Sequence, residues 1–139
     1  MFYYLAIGLT IVANILYHVI QKLVPSRANP FLVLTSAYLM AAIFSIFCSA
    51  LFKAYGSLST EIKSLNWAGF ALGLAIFGLE LGFLLAYRAG GKISTAALFS
   101  NVAVSLFLIP IGILFFGEKL TITKALGVVF CLIGLWLLR

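Results

Sequence analysis

Charged side chains are scarce in this sequence, and their scarcity excludes a soluble fold. They make up 9% of the 139 residues, whereas 65% of the residues are hydrophobic. A soluble globular domain is usually about 45–50% apolar and about 25% charged. Because a soluble fold could not bury this much apolar surface, the composition predicts an integral membrane protein.

Cysteine is also rare, and the motifs of common catalytic and metal sites are missing from the sequence. Cys48 and Cys131 both lie inside apolar segments, where we interpret them as packing residues and not as disulfide or metal-binding residues. The sequence has no Gly-rich phosphate loop, no metal-ligand spacing and no nucleophile–base pair. We therefore expect no enzymatic activity, no cofactor and no metal.

The positive charge is dispersed along the chain. The formal net charge is +6, but the Lys and Arg residues occur one or two per loop and form no basic cluster. This distribution is typical of helix ends whose basic side chains reach the headgroups of anionic lipids. We expect contacts with membrane lipids and none with nucleic acid.

Five apolar segments divide the chain and predict an all-α integral membrane protein. A membrane-spanning helix needs about 20 residues, with a range of about 17–25, and the fifth segment is the shortest. Turn residues such as Pro30, Gly90 and Gly117 separate the segments, and Thr121 or Thr123 can cap the last helix. We predict a single domain over residues 1–139, a compact bundle of five transmembrane helices. The expected helices span about residues 2–23, 30–52, 66–87, 93–116 and 122–138.

The basic residues are almost evenly divided between the two faces of the membrane. We call the N-terminal face side A and the opposite face side B. Side A receives Lys53, Lys63, Lys119 and Lys124, and side B receives Lys22, Arg27, Arg88, Lys92 and Arg139. The positive-inside rule needs an excess on one face. Either the orientation is weakly determined, or the protein inserts both ways and forms an antiparallel homodimer with an inverted copy of itself.

Glu80 is the residue from which the functional interpretation starts. It is the one charged residue in the apolar run from Trp67 to Tyr87, and an ionisable side chain at membrane depth usually marks a proton, ion or substrate pathway. Polar residues at helical spacing on other helices lie at similar depths, about 5–8 Å toward side B from the helix midpoints. With Glu80, the predicted substrate- or ion-binding residues are Asn14, Tyr17, His18, Tyr38, Asn101 and Ser105.

Each of these residues also has a structural interpretation. Glu80 can be a structural acid that is hydrogen-bonded to His18 or Tyr38, or a carboxyl that exchanges a proton for a cation. His18 can be an interfacial histidine. Asn14 and Asn101 can join neighbouring helices by hydrogen bonds, which is common in membrane bundles.

Three stretches resemble the EamA domain of the drug/metabolite transporter superfamily. They are residues 86–96 (AYRAGGKISTA), 115–121 (FFGEKLT) and 126–134 (LGVVFCLIG). The Gly-Glu-x-Leu-Thr pattern followed by a Gly-containing apolar helix is the most specific part. Larger members look like two inverted units fused together, whereas this chain looks like one five-helix unit.

The resemblance implies a transporter in the cell membrane, plasma or inner. It implies secondary active export or exchange of a small metabolite or drug-like solute by alternating access, with Glu80 as the coupling or binding carboxylate on the physical argument above. A homodimer would supply the second unit. The alternative is a non-transporting subunit, or half of a lipid-linked sugar flippase, that needs a partner.

Overall fold

The computed structural model describes residues 1–52, 63, 65–119 and 121–137. Within these ranges the chain forms helices and no strand, which confirms the predicted all-α class. Most of the segment between the second and third predicted helices, residues 53–62 and 64, lies outside the described residues, as do Leu138 and Arg139. The five helices are α1 (Phe2–Leu23), α2 (Pro30–Phe52), α3 (Trp67–Arg88), α4 (Ile93–Phe116) and α5 (Ile122–Leu137).

Four of the helices are long and apolar enough to cross a bilayer. α1, α2, α3 and α4 have 22, 23, 22 and 24 residues, and a helix needs about 20 to span the hydrocarbon core. α5 is apolar but has only 16 described residues. The protein is therefore a multi-pass membrane protein.

The first of two compact units comprises residues 1–20 and 89–139. It contains α1 as far as Ile20, together with α4 and α5, and α4 packs against α5. α4 ends at Phe116, and the next residue, Gly117, adopts the left-handed conformation with φ 64°. The carboxylate of Glu118 then lies over Gly112, where a β-carbon would be 3.2 Å from Oε2 of Glu118.

The second unit is Gln21–Arg88 and holds the last turn of α1, all of α2 and all of α3. α2 packs against α3. Asn29 caps the start of α2, since its Oδ1 accepts a hydrogen bond from the Phe31 N–H at 2.9 Å, and Pro30 occupies the first helical position, where its missing N–H costs nothing.

Most large apolar side chains point outward along the helices. Among the described residues, the buried apolar side chains are few, and Leu84 on α3 is the most completely enclosed at 1% exposure. In water this surface would be strongly unfavourable. In a bilayer it contacts lipid chains, which are as apolar as the side chains themselves.

Candidate functional site

Glu80 and Tyr38 meet inside the second unit. Glu80 is half-buried on α3, and Tyr38 is half-buried on α2. The Tyr38 hydroxyl lies close enough to the Glu80 carboxylate for an electrostatic and a hydrogen-bonding interaction. However, the oxygen of Tyr38 is buried and has no partner of full hydrogen-bond geometry among the described residues. The two groups are therefore neighbours within the second unit, and no hydrogen bond of full geometry joins them.

The register of α2 against α3 explains why these two side chains meet. At the side B end of the unit, Nη2 of Arg88 donates hydrogen bonds to the carbonyl oxygens of Ala28 at 2.8 Å and Pro25 at 3.4 Å. Glu80 precedes Arg88 by eight residues, and Tyr38 follows the first residue of α2 by eight. At 1.5 Å per residue, both side chains therefore lie about 12 Å from that end.

Gln21 is the third polar side chain at this site. It is 8% exposed, and its Nε2 donates a 2.9 Å hydrogen bond to the main-chain oxygen of Glu80. Its Oε1 is buried and has no hydrogen-bond partner within the described part of the chain. The amide therefore lies against the residue that carries the carboxylate and leaves one acceptor unused.

Two cations lie at the side B end of α3, away from the carboxylate. Nζ of Lys22 donates to the carbonyl oxygen of Tyr87 at 3.3 Å and lies 5.6 Å from the centre of the Tyr87 ring. Arg88 bonds the turn before α2. Positive groups favour helix C-termini, because the helix dipole is negative there. Both cations are thus used at the end of the helix, about two turns from Glu80.

The other predicted residues lie in the first unit. Tyr17 and His18 form an edge-to-face ring contact with centroids 5.0 Å apart, and His18 is buried. Asn14 and Asn101 are exposed along α1 and α4. Their role in binding stays a prediction.

Several hydroxyl groups on the helices donate hydrogen bonds to main-chain oxygens of their own helix. Ser105, which is exposed, donates to the carbonyl oxygen of Asn101 at 2.8 Å. Thr10, Thr35 and Ser45 each donate in the same way to the residue four positions earlier. Such bonds satisfy a hydroxyl donor locally in an apolar surrounding. The carboxylate of Glu80, the hydroxyl of Tyr38 and Oε1 of Gln21 are therefore among the polar groups of the described residues that have capacity left for a ligand.

An apolar groove of about 640 Å³ lies elsewhere, between α4 and α5. Thr95, Phe99, Leu132 and Trp136 are among its lining residues. None of the predicted binding residues lines it. Its walls offer almost no polar group, so its chemistry fits a lipid chain better than a charged solute.

Gln21 is not among the binding residues that the sequence predicts. Gln21 is the third residue from the end of α1, where a polar residue is expected to reach the headgroup region. The usable signal was its spacing of three from His18, which puts both residues on one side of the helix. Its position near the end of α1 was misleading, because it suggested a side chain in the headgroup region and not one beside Glu80.

Comparison with known proteins identifies a family. The chain matches the EamA-like transporter family over residues 1–139. Searches of curated proteins and of solved structures find no significant match. The family match covers every helix, including the Gly117–Glu118 turn that the resemblance singled out. The chain belongs to the EamA-like transporter family, of the drug/metabolite transporter superfamily.

Proposed function

We propose that this protein is a secondary active transporter that exports or exchanges a small solute in the cell membrane, plasma or inner. Family membership supports transport. The observation that carries the rest is the pair formed by Glu80 and Tyr38 within two membrane-spanning helices. We infer that Glu80 binds the solute or the coupling ion and couples the movement of one to the other.

The chemistry of the pair suits an exchange. A carboxylate in an apolar medium is unstable unless it is neutralised, so it holds either a proton or a cation but is seldom empty. Tyr38 offers an O–H that donates to the charged carboxylate. When a cation binds the carboxylate, its proton leaves, and the reverse exchange occurs on the other face of the membrane. Asn14, Tyr17, His18, Asn101 and Ser105 are proposed as further solute contacts.

Replacing Glu80 with Gln tests this proposal. The substitution keeps the size and hydrogen-bonding capacity of the side chain but removes its charge and its proton. Purified protein in liposomes is assayed on solid-supported membranes for transport currents with a panel of small cationic, zwitterionic and neutral solutes. We expect Glu80→Gln to abolish coupled transport and to preserve the helical circular dichroism spectrum.

Glu118→Gln is the matched control. Glu118 is at the end of α4, where its main-chain N–H bonds the Gly112 oxygen at 3.0 Å, and we assign it a structural role. This variant should transport as the unmodified protein does. Full coupled transport by Glu80→Gln would refute the role of Glu80.

We further propose that the working form is a homodimer, in which an antiparallel partner supplies an inverted copy of the whole five-helix domain. The support is the near-even division of basic residues between sides A and B. Single cysteines at each end, in a background without Cys48 and Cys131, are labelled from either face of the membrane. Labelling of each end from both faces is expected, whereas a single orientation would exclude the antiparallel dimer.

A further inference from the structure

The amide of Gln21 has a fixed orientation. Its partner is the main-chain oxygen of Glu80, and a carbonyl oxygen can only accept a hydrogen bond. The amide nitrogen must therefore be the atom that faces it. Oε1 of Gln21 then points away from the Glu80 main chain. The Gln21 residue is more than nine-tenths buried, and no described residue donates a hydrogen bond to this oxygen.

A buried acceptor without a donor is unusual and needs an explanation. Buried polar atoms in native proteins nearly always have a partner, and leaving one unpaired is costly. Lipid chains supply no donor. A ligand that carries N–H or O–H groups would satisfy this oxygen.

The neighbouring groups narrow the chemistry of that ligand. Glu80 contributes a carboxylate, and the buried oxygen of Tyr38 also has no partner of full geometry in the described ranges. The site therefore offers several acceptor oxygens and one negative charge, against two donors, the O–H of Tyr38 and the second N–H of the Gln21 amide. The cations Lys22 and Arg88 donate hydrogen bonds to main-chain oxygens at the side B end of the unit, about two turns from Glu80.

We propose that Gln21, together with Glu80 and Tyr38, binds an organic cation that carries N–H groups, such as a primary ammonium. This inference rests on the proposed function and adds a substrate class to it. The carboxylate of Glu80 takes the charge, and Oε1 of Gln21 accepts one N–H. A quaternary ammonium has no N–H and leaves that oxygen unpaired.

The preference between the two kinds of cation is diagnostic. A primary ammonium is more strongly hydrated than its N-trimethylated counterpart, so an apolar site with only one carboxylate favours the quaternary cation. The preference reverses only where the protein replaces the lost water hydrogen bonds. A hydrogen bond to a charged group is worth about tenfold or more in affinity.

Calorimetric titration of the purified protein in detergent with benzylammonium and benzyltrimethylammonium tests the inference. We expect the unmodified protein to bind benzylammonium about tenfold more tightly. Gln21→Met has a similar volume and no polar group, and it should abolish this preference while the quaternary cation binds as before. Thr10→Val is the matched control in α1, because its hydroxyl bonds its own helix, and it should keep the preference.

Failures of the inference and of the proposed function give different results. If the two cations bind equally to the unmodified protein, or if Gln21→Met keeps the preference, the role of Gln21 is overturned while Glu80-dependent binding still supports the transporter site. If neither cation binds, or if Glu80→Gln leaves both affinities unchanged, both proposals fail. Should Gln21→Met not fold, Gln21→Glu adds an acceptor and a charge, and it must strengthen the binding of benzylammonium more than that of the quaternary cation.

Discussion

Arg88 fixes the register on which the Glu80–Tyr38 contact depends, and its removal should weaken the second unit measurably. Nη2 of Arg88 joins the end of α3 to the turn before α2 through Ala28 and Pro25. We expect Arg88→Ala to lower the free energy of unfolding and to reduce coupled transport, because the two functional side chains lose their common alignment.

The size of the effect follows from the geometry of the two bonds. The bond to Ala28, at 2.8 Å, is of ideal length, and a hydrogen bond to a charged group contributes about 1.5–3 kcal/mol. The bond to Pro25, at 3.4 Å, is long enough to contribute little. Removing the guanidinium also removes its buried, unpartnered Nε–H, which offsets part of the loss. We therefore expect a loss of about 1.5 kcal/mol, at the low end of the range.

Unfolding in mixed micelles of rising SDS fraction, followed by circular dichroism, measures this loss. Arg27→Ala is the control, because Arg27 is an exposed cation in the same turn, and it should change the unfolding free energy by less than about 0.5 kcal/mol. Arg88→Lys should fall between the two, since it keeps the charge at the helix end but not the reach of the planar fork. Equal stability of Arg88→Ala and Arg27→Ala would refute the reasoning.

Two predictions concern the turn between α4 and α5. Gly117→Ala should cost about 1 kcal/mol of unfolding free energy, because φ is 64° there. Gly127→Ala, in the middle of α5 with open space around it, should not destabilise the protein. Equal losses for the two variants in the micelle assay would contradict this prediction. Thr121→Ala should cost about 1 kcal/mol through the lost cap on the Lys124 N–H at 3.3 Å, and Thr123→Ala should cost less. A larger loss for Thr123→Ala would show that the cap lies there.

The fold class could be predicted because a bilayer leaves few alternatives. Backbone groups in hydrocarbon must be satisfied within the segment, so long apolar runs become helices. Local turn chemistry was also readable, since the structure confirms Thr121 as one of the two caps that the sequence offered. The amino-acid sequence alone does not predict the register of one helix against another. That depends on contacts such as Arg88 to Ala28, which no periodicity along a single helix encodes.

The candidate site could be predicted in part. Glu80 stood out because a charge in an apolar run is costly. Its contact with Tyr38 agrees with one of the two partners that its spacing and depth suggested. Gln21 was not predicted as a binding residue because depth was judged from each helix separately. A residue near the end of α1 still reaches Glu80, since helices in a membrane need not share a common midpoint.

The unsatisfied atoms at this site bear on whether Glu80 is structural or functional. A structural acid inside a membrane would be expected to use its neighbours fully, because each unpaired polar atom there adds cost without return. Around Glu80, the Tyr38 oxygen lacks a partner of full geometry, and Oε1 of Gln21 has none among the described residues. The hydroxyl groups of Thr35 and Ser45 on α2, by contrast, are bonded within their helix. The Tyr38 oxygen and Oε1 of Gln21 thus leave hydrogen-bonding capacity beside Glu80, which favours the binding interpretation over a purely structural one.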